Sequence, residues 1–271
     1  MKLNQTPKKY TLISAIIIAV FGAISALAIW QLTDRDELIN DPETLPKTTE
    51  RVTQKEPTPE TITLPNATPI PKIAGNYTSD DHLWRLVNKT HPLSDTSYRP
   101  SDLVVAHDLA QADKSTDEKS VRSIIIDQLT DLFSAARAQG IELKIGSGFR
   151  SAESQQIYYS NYVRTYGQTA ADTFSAKPGH SEHQTGLAVD LTTADQYCRL
   201  ERCFGDTMAG KWLAINASAY GFILRYPDGK EAITGYTYEP WHFRYVGPEF
   251  AKALVESGLT LDEASEHLTS S

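Results

Sequence analysis

The chain has only two cysteines in 271 residues, Cys198 and Cys203, within Cys-Arg-Leu-Glu-Arg-Cys. A zinc knuckle would need further Cys or His at metal spacing nearby, and none is there. Two readings of the pair stay open, a small disulfide loop or two free thiols, and the compartment chooses between them. An excess of positive charge is also missing. Lys plus Arg is 26 against 34 Asp plus Glu, a net charge of −8. Lys2, Lys8 and Lys9 precede Asp34, the first acidic residue, so the rest of the chain carries 23 cations against 34 anions. Such a surface repels a phosphate backbone, and no basic patch with interleaved aromatics occurs, which argues against nucleic acid as a partner. Internal repeats are absent.

What is present divides into regions. Thr11 to Leu32 contains no charged residue and is rich in Ile, Ala and Leu. Such a run of about 22 residues spans roughly 30 Å of hydrocarbon at about 1.5 Å per residue. With Lys8 and Lys9 before it and Asp34, Asp36 and Glu37 after it, the positive-inside rule puts the N-terminus in the cytoplasm and the remainder outside. The expectation for residues 1–32 is a cytoplasmic N-terminus and a retained membrane anchor. The alternative is secretion after cleavage near Ala26-Leu-Ala28. Either way the catalytic part is extracytoplasmic, where a Cys198–Cys203 disulfide is expected. Residues 33–75 read as a linker rich in proline and threonine. Seven of the 14 prolines fall between Pro42 and Pro71, and no aromatic residue occurs between Trp30 and Tyr77. That composition buries too little apolar surface to offset the entropy of ordering.

Residues 76–258 have the composition of a folded domain, and 259–271 read as a tail. Ser115-Thr-Asp-Glu118 is a capping-box pattern. It precedes apolar residues at Val121, Ile125, Leu129, Leu132 and Ala136, which predicts a helix stopped by Gly140. Ile141, Leu143 and Ile145 alternate as a strand leading into Gly146-Ser-Gly148-Phe-Arg150. Ser151 caps a second predicted helix running to about Tyr166. A third uses Met208, Trp212, Ile215 and Ala219 as its apolar face and ends at Gly221. Strands are expected at 187–191, 222–226 and 241–246, and Pro248 opens a short helix closed by Gly258. Helices and strands without regular alternation give an α+β class.

The chemistry concentrates in Pro178-Gly-His-Ser-Glu-His-Gln-Thr-Gly-Leu-Ala-Val-Asp190 and Tyr238-Glu-Pro-Trp-His-Phe-Arg244. On a strand, Ala188 and Asp190 share one face. A turn at Gly186 folds His183 back onto that face. Pro240 between Glu239 and His242 argues against a helix there, so the helical His-Glu-x-x-His arrangement is excluded. Two imidazoles and one carboxylate suit zinc and leave a fourth tetrahedral position for water, whose pKa then falls toward about 7. Glu239 is the natural carboxylate to take the proton of that water. Arg150, after its Gly-rich turn, offers a cation for an oxyanion or a substrate carboxylate. Singly, each of these residues has an ordinary surface or hydrogen-bonding role, and only their combination carries the reading.

That combination, Ser181-x-His183-x-x-Gly186-x-Ala188-x-Asp190 followed by Glu239-x-x-His242, resembles the D-alanyl-D-alanine carboxypeptidases of the VanY type and their L,D-carboxypeptidase relatives. The resemblance takes in Leu86-Val-Asn-Lys89, His91-Pro-Leu93, Tyr98-x-Pro-x-Asp-Leu103 and Ser147-Gly-Phe-Arg-Ser151, and covers about Leu83 to Val246. It implies a small α+β zinc-peptidase domain around an antiparallel sheet. It assigns zinc to His183, Asp190 and His242, the catalytic base to Glu239, and contact with the substrate and the tetrahedral intermediate to Arg150. Ser181, Gln155 and Tyr226 resemble positions that line the peptide site, and His180 falls where the pattern varies and is read as a non-ligand. The implied substrate is a peptidoglycan stem peptide ending in D-alanine, cleaved as a D,D- or an L,D-bond. Two alternatives remain at this stage: an endopeptidase or dipeptidase with the same metal site, and a wall-binding module that does not catalyse. A module of that kind has no use for Glu239 beside the metal.

Overall fold

The computed structural model describes residues 60–107 and 109–269. In chain order its strands and α-helices are β1 (Thr61–Ile62), β2 (Ile70–Pro71), β3 (Leu103–Val105), β4 (Ser120–Arg122), α1 (Ile126–Ala138), β5 (Leu143–Ser147), α2 (Ala152–Tyr166), α3 (Gln168–Phe174), β6 (Ala188–Thr193), α4 (Met208–Asn216), β7 (Phe222–Leu224), α5 (Glu231–Thr234), β8 (His242–Tyr245), α6 (Pro248–Ser257) and α7 (Leu261–Thr269). Strands β5, β6, β8 and β7 lie side by side in that order as an antiparallel sheet. Pairs β1–β2 and β3–β4 form separate antiparallel ribbons. This is the α+β class expected from the element pattern.

Side-chain alternation explains why the sheet forms where it does. Ile145, Val189, Leu191 and Phe243 pack with Leu129, Leu132 and Phe133 of α1 and Leu213 of α4 into one buried cluster. Each such side chain contributes roughly 1.5–3 kcal/mol when fully buried. A second cluster joins Trp84, Leu86, Val246, Phe250 and Leu254 to Leu261, Ala264 and Leu268 of α7. Trp84 is fixed there by its indole N–H, which donates to the Val246 carbonyl at 2.8 Å. At α2 the cap is as expected, with the Ser151 hydroxyl accepting from the Ser154 N–H. Such a cap is worth about 1 kcal/mol.

Several expectations are corrected. The capping box of Ser115 and Glu118 exists, but it closes a 3-10 turn, Asp117–Lys119, and strand β4 follows before α1 begins. Val121 is therefore a strand residue paired with Val104. On α4 the buried residues are Ala209, Gly210 and Leu213, while Met208 and Ile215 are 66 % and 77 % exposed, so the helix turns its other side to the core. Strand β7 stops at Leu224, two residues short of Tyr226. The folded region exceeds 76–258 at both ends. Ile62, Leu64 and Ile70 are already buried within the expected linker, and α7 occupies the expected tail. The membrane anchor over residues 11–32 and the linker up to residue 59 lie outside the described residues. Among the described residues no helix is long and apolar enough to cross a membrane.

Candidate metal centre and active site

Asp190 of β6 and His242 of β8 are cross-strand partners, so the register of the sheet alone sets them side by side. His183 comes from a 3-10 turn, Glu182–Thr185, which Gly186 ends in the left-handed conformation at φ 67°. The chain folds back at that glycine, as expected, and His183 meets the same face. Its Nε2 lies 3.3 Å from Asp190 Oδ2, and His242 Nδ1 lies 3.2 Å from Asp190 Oδ1. One ligand-type atom from each of the three residues falls within 4.8 Å of the other two, and all three residues are buried.

The tautomers follow from the partners. His183 Nδ1 faces the Gly148 carbonyl oxygen at 2.7 Å. A carbonyl only accepts, so Nδ1 carries the proton and Nε2 presents its lone pair to Asp190. His242 Nε2 lies 3.4 Å from Glu182 Oε2. Glu182 is fully buried and accepts from Arg225 Nε at 2.7 Å and Arg244 NH1 at 2.9 Å. Burial works against its charge, yet the two guanidiniums hold its carboxyl well below the usual carboxylate range. Glu182 is then acceptor only, so Nε2 donates and Nδ1 is left with a lone pair facing another acceptor. Two nitrogen lone pairs and a carboxylate converge with no proton donor among them, and this donor set fits a zinc ion. Lacking a cation, a proton takes its place: burial opposes it, but the hydrogen bonds and charges of Asp190 and Glu182 raise the His242 pKa to about 9. Burial lowers that of His183. Asp190 is pushed up by burial and pulled further down by the two imidazoles, ending well below its ordinary value.

Glu239 is 7 % exposed, with Oε2 3.9 Å from His242 Nδ1. Burial, reinforced by the Asp190 and Glu182 carboxylates and opposed by His242 and Arg150, pushes its carboxyl up to about 8. A cation at the three ligands draws that value down again, into the range useful for proton transfer near neutrality. Arg150 is half-buried behind Asp190, NH2 to Oδ2 3.9 Å, and donates to Gln155 Oε1 at 3.0 Å and Ser147 Oγ at 3.1 Å. Gln155 is held in turn by its amide N–H on the Ala176 carbonyl at 2.7 Å.

Arg150, Gln155, Ser181 and Tyr226 line one cleft of about 360 Å³ together with His183, Asp190, Glu239 and His242. All eight residues singled out in the sequence thus share a single cavity. The Tyr226 ring lies 4.9 Å from that of His242, and burial pushes its phenol well above its ordinary value. His180 faces away, its Nδ1 3.0 Å from the Asn88 carbonyl oxygen. Sequence reasoning missed Glu182, Arg225, Arg244 and Asp262, which accepts from Arg225 NH1 at 2.5 Å and thereby ties α7 to the back of the site. It also missed Tyr162, Tyr166, Phe174, Leu200 and Trp241, which line the rest of the cleft.

Comparison with known proteins places this geometry. Residues 118–248 match the VanY family, described as D-alanyl-D-alanine carboxypeptidase. The protein YodJ of Bacillus subtilis (strain 168) is 41 % identical over 199 residues, 73 % of this chain and 72 % of its own. Among solved structures, the LdcB LD-carboxypeptidase is 42 % identical with a TM-score of 0.65, over 69 % of this chain and 87 % of that one. A vancomycin-resistance D,D-pentapeptidase VanY, solved in complex with Zn(II), is 34 % identical with a TM-score of 0.55, over 69 % of this chain and 98 % of that one.

Proposed function

Because the chain belongs to the VanY family of D-alanyl-D-alanine carboxypeptidases, and is a carboxypeptidase acting on peptidoglycan precursors, we propose that it removes the terminal D-alanine of stem peptides with zinc held by His183, Asp190 and His242. The observation that supports this most is the convergence of two imidazole lone pairs and a carboxylate beside a buried Glu239 with a raised pKa. When bound, the ion polarises the scissile carbonyl and acidifies water.

The remaining steps belong to the side chains. Glu239 takes a proton from the attacking water and passes it to the departing amino group. Arg150, held by Gln155 and Ser147, stabilises negative charge on the carbonyl oxygen. Ser181 and Gln155 line the peptide, and Tyr226, whose phenol keeps its proton at neutral pH, offers a donor to it. His183 and His242 keep their orientation through Gly148 and Glu182.

The reading includes an extracytoplasmic location behind a membrane anchor at residues 11–32. The Cys198–Cys203 disulfide supports it, since such bonds persist in oxidising compartments. The test is to incubate the protein with a stem tetrapeptide and a stem pentapeptide and follow the products. Free D-alanine from either, lost with a chelator and restored by zinc, is the expected result. Release of D-alanyl-D-alanine, or cleavage inside the stem, would point to the dipeptidase or endopeptidase reading instead. Binding without cleavage would point to the wall-binding module.

A further inference from the structure

The two ends of the cleft differ. At one end Arg150, His183, Asp190, Glu239 and His242 are buried or half-buried. At the other, Tyr162, Tyr166, Phe174, Leu200 and Trp241 supply an uncharged, mostly aromatic lining. Helices α2 and α3 build part of that wall, with the Phe174 ring edge-on to Tyr162 at 5.1 Å and to Tyr166 at 5.8 Å. This end is also the open one, since Tyr166 is 61 % and Leu200 38 % exposed.

Leu200 belongs to the six-residue ring closed by the Cys198–Cys203 disulfide. Gln196, Cys198 and Leu200 have φ of 56°, 53° and 54°. Non-glycine residues rarely adopt this left-handed conformation, and it persists only where the surroundings over-determine it. Here the covalent bond does so, with Cys198 packed against the main core. The loop therefore holds a leucine out at the mouth of the cleft instead of letting it collapse inward. Burial for stability explains neither its position nor its backbone.

An exopeptidase that removes one residue keeps that residue at the closed end, so the rest of the peptide leaves by the open one. Resting on the functional reading above, we propose that loop 198–203 is a substrate-gripping rim. Leu200, with Tyr166 and Phe174, receives the aliphatic stem of the stem peptide's diamino acid, and the disulfide sets the grip. A long side chain with a terminal amine suits such a place, because its methylenes lie on apolar surface while the charged head reaches water.

The test crosses an enzyme variant with a substrate variant. One stem peptide carries lysine as its diamino acid, and its analogue carries alanine there. Leu200→Ala is expected to raise KM for the lysine peptide about fivefold with kcat kept, and for the alanine analogue by less than about twofold. Cys198→Ser/Cys203→Ser is expected to give the same split. If that pair of changes unfolds the protein, Leu200→Ala carries the test alone, since its side chain is partly exposed. Equal penalties on both peptides, or none, overturn the rim while D-alanine release upholds the functional reading. Absence of D-alanine release from either peptide by the unaltered protein defeats that reading, and the rim with it.

Discussion

The carboxylate of Glu182 and the imidazole of His242 meet at 3.4 Å, Oε2 to Nε2, at the buried back of the site. Two guanidiniums fix the other oxygen, so the imidazole is aimed by groups that never reach the cleft's zinc ligands directly. Partners of this kind change metal affinity about 10–100-fold when altered. Glu182→Gln also leaves Arg225 and Arg244 with uncompensated buried charge, costing roughly 3–5 kcal/mol. The expected outcome is a zinc dissociation constant raised at least about tenfold, read by chelator competition, together with a lowered midpoint of thermal unfolding.

Arg150→Ala removes the cation beside Asp190 but none of the three ligands. A kcat loss of about 10²–10³ on D-alanine-terminated peptides is expected, with zinc content unchanged. Steady-state kinetics and metal analysis on one preparation check it. Arg150→Lys recovers only part of the loss, because lysine cannot span both Gln155 and Ser147 as the planar fork does.

Gly148 has no room for a side chain. A Cβ there would lie 2.3 Å from the Ser120 carbonyl oxygen, so the backbone must shift. The carbonyl that orients His183 belongs to this residue. Gly148→Ala is expected to destabilise the fold by about 2 kcal/mol or more and to weaken zinc binding as well. Denaturant unfolding of the apoprotein and chelator competition measure the two effects separately.

Glu118 makes a pH prediction away from the metal. Burial raises its carboxyl, but the Tyr158 hydroxyl, Lys114 and Ser115 outweigh this, and the net shift is downward. A carboxyl lowered in the folded state stabilises it above the unfolded pKa of about 4.3, and that contribution is lost as pH falls through the folded value. Glu118→Gln should therefore be less stable than the unaltered protein at neutral pH. The gap should close progressively below about pH 4 in urea unfolding series. A gap independent of pH would contradict the assignment.

The legible part of the fold follows from period and caps. The strands carrying Asp190 and His242 alternate in the sequence as they do in the sheet, and Ser151 starts α2 where a cap is expected. The ligands were legible for the same reason, since a strand, a left-handed glycine and a cross-strand neighbour fix their mutual placement. Helix α4 misled because the side with the larger apolar residues faces solvent while Ala209 and Gly210 face the core. Helix α7 did carry a signal: Thr260 and Glu263 form a capping box, and Leu261, Ala264 and Leu268 follow at helical spacing. Glu182 had none. Between two motif residues it reads as a solvated charge, and its partners Arg225 and Arg244 lie some 40 to 60 residues away. Long-range pairing of buried charge leaves no local periodicity to detect.

The central claim is that a zinc ion on His183, Asp190 and His242 works with Glu239 as the proton carrier. The most direct measurement follows D-alanine release and zinc content together in the unaltered protein and in Glu239→Gln. The account predicts about one zinc per chain in both, release by the first abolished on chelation, and a loss of about 10² or more in kcat in the second. Release that survives chelation, or a Glu239→Gln protein that keeps both its zinc and its full turnover, would contradict it.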